Sequence, residues 1–151
     1  MPRIRWKALV FGLSADFLAT MLSGLVLSAA GAAILAAQGR PLSQLRAFHL
    51  RPAFLAVVLA AMCGATFVGG FVAARTAGVS PLLHGLAMGI LSLAVGMLLT
   101  RTAIYPVWFN VLAAGLAIPA AVAGSLAASR SATPSRPGID RISNNGSGRK
   151  T

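Results

Sequence analysis

The sequence predicts an all-α polytopic membrane protein in which four transmembrane helices form a compact bundle, and three observations lead to this fold class. First, 57% of the 151 residues are hydrophobic and only 10% are charged, whereas a soluble domain carries about a quarter charged residues. Second, four apolar runs are each long enough to cross a bilayer, which takes about 20 residues. Third, none of these runs alternates polar and apolar residues as a barrel strand does, so helices must satisfy the backbone hydrogen bonds.

The four runs define a transmembrane domain that occupies residues 1–128. The predicted spans are about residues 8–37, 53–74, 81–100 and 104–128. The first run is overlong for a bilayer, so this helix is expected to tilt or to protrude. It is also about twice as long as the apolar region of a secretory signal peptide and contains Asp16, which favours a retained helix over a cleaved signal.

The distribution of basic residues predicts which side of the membrane each end occupies. Nine of the thirteen Lys and Arg residues fall at the amino end, in the connection between the second and third spans, or in the carboxyl-terminal tail, and four spans bring these regions to one side. The other four basic residues are Arg40, Arg46, Arg51 and Arg101. The positive-inside rule then predicts a multi-pass protein of the inner (plasma) membrane with both termini in the cytoplasm.

Residues 129–151 are predicted to form a disordered, basic, cytoplasmic tail, because this segment is rich in Ser, Pro, Gly and Asn and has no hydrophobic periodicity. Two interpretations of its charge stay open: a solvated tail that fixes the topology, or a tether to anionic lipid headgroups. The net charge of +11 would suggest nucleic acid on a soluble chain. Because the basic residues stand at the ends of apolar runs and in the tail, the expected partner is the lipid bilayer and not nucleic acid.

A short polar hairpin, GGFVAARTAGVSPLLHG (residues 69–85), joins the second and third spans. Gly78 is expected to end the second helix with a positive φ angle. Ser80 and Pro81 suit the cap and the first turn of the third helix. Arg75 is placed to reach lipid headgroups or the last carbonyl groups of the second helix.

Asp16 is the only acidic residue within a predicted span. A carboxylate near the bilayer centre costs about 2.5 to 3.5 kcal/mol on insertion scales, so Asp16 should face the bundle interior. Two hypotheses stay open for Asp16. It is a structural residue that is either neutral or paired with His84, Arg75 or a cation near the amino end. Alternatively, it is the proton or cation site of a transporter. His84 either joins such a pair or bonds a headgroup, a water or a backbone carbonyl. The candidate functional residues are therefore Asp16, His84 and Arg75.

Small residues recur along one face of each span, and such faces let membrane helices approach closely. The glycines predicted to mediate this packing are Gly69, Gly70, Gly85, Gly89 and Gly96. The same faces would allow a homo-oligomer or a complex with another membrane protein. The chain has no metal-ligand cluster, carboxylate pair or nucleophile elbow, so we predict no catalytic residue, no metal and no cofactor, and we do not expect an enzyme.

A weak internal repeat relates two helical hairpins. ALVFGLSADFL (8–18) resembles PLLHGLAMGIL (81–91), and VGGFVAAR (68–75) resembles VAGSLAASR (122–130). The two hairpins would then be copies in the same orientation. Asp16 aligns with Gly89 in this comparison, so only one copy carries the charge.

The segments GGFVAARTAGVSPLLHGLAMGIL and WKALVFGLSADFLAT together resemble a group of small uncharacterised bacterial four-helix membrane proteins. These proteins share a GGY-hAAR…PLLHG hairpin and an acid in the first helix. The resemblance covers these two segments and implies a bacterial inner-membrane protein, but it implies no activity and no site residues.

The acid in the first helix also resembles that of the small multidrug resistance exporters, in which this helix holds an essential carboxylate. That family has Glu where this chain has Asp16. The long first span, the extended first loop and the tail depart from the compact pattern of the family.

We expect from these features an accessory or scaffold protein that acts through helix packing. The alternative is a proton-coupled small-molecule exporter in which Asp16 is the shared site for the proton and the substrate. A holin-like pore is a third hypothesis, suggested by the small size and the basic tail.

Overall fold

The computed structural model describes residues 4–100 and 105–131, and it consists of helices. In chain order these are α1 (Trp6–Ala37), the short α2 (Leu45–His49), α3 (Pro52–Ala77), α4 (Pro81–Thr100) and α5 (Val107–Ser131), with one 3-10 turn at Leu42–Gln44. α1, α3, α4 and α5 are long and apolar enough to cross a membrane, and they pack together. The predicted all-α class with four membrane-spanning helices is confirmed, and the residues in these two ranges form no strand.

The helix ends lie within a few residues of the predicted spans. α1 begins at Trp6, α3 ends at Ala77, and α4 keeps the predicted bounds. α5 continues to Ser131, so residues 129–131 are helical, which corrects the predicted start of the tail at residue 129. Outside the described residues lie Arg3, Arg101, the predicted start of the fourth span at Ile104, and the rest of the tail, residues 132–151.

Proline and glycine mark the two ends of α3, and α4 begins three residues after the glycine that ends it. Pro52 stands in the first turn of α3, where its missing N–H costs no intrahelical hydrogen bond. Gly78 ends α3 in the left-handed conformation with a φ of 64°, and its N–H donates to the Ala74 carbonyl at 3.1 Å. Ser80 also has a positive φ of 44°, and its carbonyl accepts the backbone N–H of His84 at 3.2 Å as α4 begins.

α3 is the central helix of the bundle. It packs against α1 on one side and α5 on another, and α4 packs against α5 and less extensively against α3. Within the described ranges, no Cα atom of α1 lies within 8 Å of a Cα atom of α5. The helix directions alternate along the chain, so α3 and α5 run parallel to each other and antiparallel to α1 and α4.

The closest helix packing lies in the half of the bundle in which α1 begins and α5 ends. We call it the closed half: residues 6–16 of α1, 66–77 of α3, 81–92 of α4 and 117–131 of α5. Adjacent glycines of α3 face different neighbours there. A Cβ atom on Gly69 would lie 3.0 Å from a carbonyl oxygen of α1, and one on Gly70 would overlap the Ala121 carbonyl of α5. Gly85 and Gly89 of α4 lie equally close to α5, so all four of these predicted packing glycines stand at helix contacts.

Gly96 does not behave as predicted. A Cβ atom there would meet no atom within 4 Å, as is also true at Gly24, Gly64 and Gly115. All four lie in the opposite half of the bundle, which we call the open half: residues 17–37 of α1, 52–65 of α3, 93–100 of α4 and 107–116 of α5. The close approach that a Cβ atom would meet at Gly89 therefore does not extend to the position seven residues later on the same face of α4.

The contact between α3 and α5 is nearly symmetric. A Cβ atom on Gly70 would overlap the carbonyl of Ala121, and one on Gly124 would overlap the carbonyl of Phe67. Gly70 aligns with Gly124 when residues 68–75 are compared with residues 122–130. Phe67 and Ala121 are the residues directly before these two segments. Exchanging the two segments therefore turns one of the two contacts into the other. α1 and α4 break the symmetry, because α4 contacts α3 whereas no Cα atom of α1 lies within 8 Å of one in α5.

Candidate functional site

Asp16 lies near the middle of the membrane-spanning bundle. It stands ten residues after the start of α1, about 15 Å along the helix axis, which is half the thickness of a typical hydrocarbon core. Its side chain is only 8% exposed. The Thr66 hydroxyl of α3 donates to Oδ1 at 3.3 Å, and the Ser92 hydroxyl of α4 donates to Oδ2 at 2.5 Å. Three helices thus each contribute one polar side chain to a cluster at the same depth.

The hypothesis that Asp16 pairs with Arg75 or His84 is wrong, because the side chains that bond the carboxylate are hydroxyls. Arg75 is exposed in the last turn of α3, nine residues or about 14 Å along that helix from Thr66. His84 stands eight residues or about 12 Å along α4 from Ser92. The chain places its cations at the helix ends, so hydroxyl groups are the donors available at mid-depth.

His84 is a structural residue at the end of the closed half. It is fully buried, its Nδ1–H donates to the Ser80 carbonyl at 3.1 Å, and its Nε2 accepts the backbone N–H of Arg5 at 3.1 Å. Because a carbonyl can only accept and an amide N–H can only donate, these partners select the neutral tautomer with its proton on Nδ1. His84 therefore fastens the start of α1 to the start of α4, which is the backbone-bonding alternative that the sequence left open.

A cavity of about 650 Å³ lies between α1, α3, α4 and α5, and Asp16, Thr66 and Ser92 line it. Most of its wall is apolar. Three helices contribute methionines and two contribute phenylalanines: Met21, Met62, Met97, Phe17 and Phe109. Small side chains on α4 and α5 leave the volume unfilled: Gly96, Ala113, Ala114 and Ala117.

The cavity occupies the open half of the bundle, with Asp16 near its base. Met97 lies five residues past Ser92, and Met21 lies five residues past Asp16, so each is about 7.5 Å farther along its helix. Both methionines are at least half exposed, so other side chains of the bundle do not cover this part of the wall. Asn110, three residues after the start of α5, also lines the cavity and is exposed. The cavity therefore extends from Asp16 to the level at which α4 ends and α5 begins.

Sequence reasoning directed Asp16 into the bundle but did not identify its partners. Thr66 and Ser92 were visible only as members of small-residue faces. A usable signal exists, because Thr66 stands eleven residues before the end of α3 and Ser92 eleven residues after the start of α4. The tight turn between these helices brings the two hydroxyls to the same depth, and Asp16 is ten residues from its own helix start.

Across the described residues, no group of three or more His, Cys, Asp or Glu side chains is arranged to hold a metal ion. No protein-family model, curated protein or solved structure gives a significant match to this chain. The function is therefore argued from the chemistry of the site itself.

Proposed function

We propose that this protein is a proton-coupled exporter of small lipophilic cations, with Asp16 as the shared site for the proton and the substrate. The observation that carries the proposal is a single buried carboxylate near the base of a 650 Å³ cavity. Pockets for drug-sized ligands measure about 300 to 1,000 Å³, so the volume suits one such molecule. A carboxylate surrounded by hydrocarbon must be neutralised, and a proton or a cation can do this.

The charge of the site limits the charge of the substrate. Asp16 is the only acidic residue in the four long helices, and the other acid of the chain, Asp140, lies in the tail beyond the described residues. One carboxylate neutralises one positive charge, which favours a monovalent cation over a divalent one. The methionine and phenylalanine wall favours an apolar body, and flexible methionine side chains adapt to different shapes.

The exchange of proton and cation follows from the same geometry. The hydroxyls of Thr66 and Ser92 hold the carboxylate near the base of the cavity. A substrate cation that reaches Asp16 replaces the proton on the carboxyl group, and this proton leaves to solvent. In the reverse step a proton returns and the cation is released, so the site stays neutral at both stages.

The test is binding of tetraphenylphosphonium to the purified protein in mild detergent, measured by equilibrium dialysis and by proton release in unbuffered solution. We expect wild type to bind the cation and to release protons as it does so. Asp16→Asn should lose both responses. Asp140→Asn is the matched control, because it removes the other acid of the chain and should leave both responses unchanged.

Two results would overturn the proposal. One is binding of tetraphenylphosphonium to Asp16→Asn with the affinity of wild type. The other is an absence of binding to wild type protein whose helical circular dichroism and elution volume show that it is folded.

The proposal includes an orientation, with both termini in the cytoplasm and the basic tail near anionic headgroups of the plasma membrane. At the end of the bundle that carries the termini, the described cations are Arg5, Lys7, Arg75 and Arg130. At the other end they are Arg40, Arg46 and Arg51. The excess at the first end supports the orientation. A carboxyl-terminal tag that a protease cleaves from outside intact cells would contradict it.

A scaffold role is the second candidate, and one observation favours it. The part of α1 in the open half leaves large apolar side chains without intramolecular partners, including Leu22, Leu25 and Val26, each more than 60% exposed. A partner helix or a second copy of the chain could pack there. Gly24→Trp would obstruct that face without a clash inside the bundle, because a Cβ atom there meets nothing within 4 Å. We expect this variant to elute as a smaller particle if the face is an interface, and an unchanged mass would contradict the scaffold role.

A further inference from the structure

We infer that the Asp16 site is a one-sided vestibule. It is reached from the membrane face on which α4 ends and α5 begins, and the closed half separates it from the face that carries the chain termini. The inference gives the access route to the site of the proposed function, on which it rests for the identity of the ligand. The route itself is a matter of packing and can be tested without any ligand.

The glycine contacts differ between the two sides of Asp16. In the closed half, the helices approach so closely at Gly12, Gly69, Gly70 and Gly124 that a Cβ atom at each would lie 3.0 Å or less from a neighbouring helix. In the open half, Gly96 lines the cavity, and a Cβ atom there would meet nothing within 4 Å. The described helices therefore leave space on the cavity side of Asp16 and close together on the other side.

Side-chain burial also differs between the two sides of Asp16. Ala73, Ala77, Ser125 and His84 of the closed half each have 0% exposure. These residues come from three helices, so the packing extends across the closed half and is not confined to one pair of helices. On the other side of Asp16, Leu35, Leu55 and Phe109 are also buried, but the cavity wall there includes Met21 and Met97, which are 51% and 60% exposed.

The helices extend unequally beyond Asp16. The hydrogen bonds of Asp16 fix a common level for Asp16, Thr66 and Ser92. Beyond this level α1 continues for about 31 Å and α3 for about 21 Å, whereas α4 continues for only about 12 Å. Among the described helices, α4 therefore rises least above Asp16, and it ends three residues after the exposed Met97 of the cavity wall.

The chain carries a natural probe of this route. Cys63 is its only cysteine, and it lines the cavity three residues from Thr66 in the direction of the open half. Ser125 offers the counterpart in the closed half, because it is fully buried against Gly85 and Cys differs from Ser by one atom. The variants are wild type, Cys63→Ser as the blank, and Cys63→Ser with Ser125→Cys.

The experiment measures the reaction of each thiol with a charged methanethiosulfonate reagent in sealed vesicles of known orientation. We expect Cys63 to react from one side of the membrane only, and at least about tenfold faster than the cysteine at position 125, which becomes reachable only through local opening. Two further variants on the Cys63→Ser background repeat the comparison. Ala113→Cys places the thiol in the cavity, and Ala77→Cys places it in the closed half. Complete labelling after denaturation in SDS shows that each thiol is present and reactive.

Equal rates at positions 63 and 125 would overturn the inference. So would reaction of Cys63 with an uncharged, lipid-soluble maleimide but not with the charged reagent, because the cavity would then open to lipid and not to water. If the labelling pattern holds and tetraphenylphosphonium does not bind, the proposed function fails and the access route stands. If the cation binds and the pattern fails, the route alone is refuted.

Discussion

Replacing glycine by alanine at two positions gives the most direct test of the division into a closed and an open half. In Gly70→Ala, the new Cβ atom would overlap the Ala121 carbonyl oxygen and lie 2.8 Å from the Ala121 Cα atom. A relaxed contact between carbon atoms needs about 3.5 to 4.0 Å, so α3 and α5 must separate by about 1 Å. Overpacking of this kind costs about 1 to 3 kcal/mol.

Gly96→Ala is the matched control, because it makes the same chemical change in another membrane helix. Its Cβ atom would meet nothing within 4 Å. Alanine restricts the unfolded chain more than glycine does, so the substitution should be neutral or stabilise the fold by up to about 1 kcal/mol. The two variants are therefore expected to differ by about 1 to 4 kcal/mol in free energy of unfolding.

The assay is unfolding by SDS in dodecyl maltoside micelles, followed by far-ultraviolet circular dichroism and by the fluorescence of Trp6 and Trp108. Coincident transitions by the two probes would justify a two-state treatment. The reasoning is refuted if the two variants unfold within about 0.5 kcal/mol of each other, which is the usual range for surface substitutions. It is also refuted if Gly96→Ala is the less stable of the two.

Three further outcomes follow from the geometry. His84→Ala leaves the Arg5 N–H without its acceptor and creates a void, so the free energy of unfolding in the same SDS titration should fall by about 2 to 4 kcal/mol. A fall of less than about 1 kcal/mol would contradict the role of the His84 ring in joining α1 to α4. Ser92→Ala removes the donor to Oδ2 of Asp16 and should lower the free energy of unfolding by about 1 to 3 kcal/mol. An unchanged free energy of unfolding would mean that this hydrogen bond does not hold the carboxylate. Gly96→Leu extends a side chain into the cavity and should leave stability unchanged. It should weaken tetraphenylphosphonium binding in equilibrium dialysis by about tenfold or more, which is equivalent to about 1.4 kcal/mol. An unchanged affinity would place the ligand elsewhere.

The helices could be predicted from the sequence because length and apolarity are properties of each segment alone. Their ends could be placed because local chemistry marks them: Gly78 adopts the left-handed conformation, and Pro52 takes a position where its missing N–H does no harm. The sequence predicts the buried face of each helix less accurately than it predicts the helix ends, because both the lipid-facing and the core-facing sides are apolar. Gly89 and Gly96 share one face of α4, yet only Gly89 is closely packed, since the divergence of the helices between them leaves no mark in the sequence.

The partners of Asp16 were missed for a different physical reason. Charge complementarity directs attention to Arg75 and His84, but these residues lie about 12 to 14 Å along their helices from the carboxylate level. A hydroxyl is a weaker signal in a sequence than a cation, because Ser and Thr also serve as small packing residues in membrane helices. The assignment of Thr66 and Ser92 needs the relative depth of three helices, and that depth depends on tertiary packing.

The packing around Gly89 gives a reason for the charge to lie on α1 and not on α4. Asp16 and Gly89 are equivalent positions, but a Cβ atom on Gly89 would already lie 2.8 Å from the Cα atom of Ile118 in α5. A carboxylate at Gly89 would force α4 away from α5. The backbones of α1 and α5 lie farther apart than 8 Å between Cα atoms, and the space between them contains the cavity beside Asp16. The broken symmetry of the packing and the single acid are thus parts of one arrangement, in which one hairpin supplies the carboxylate and the other supplies the wall that faces it.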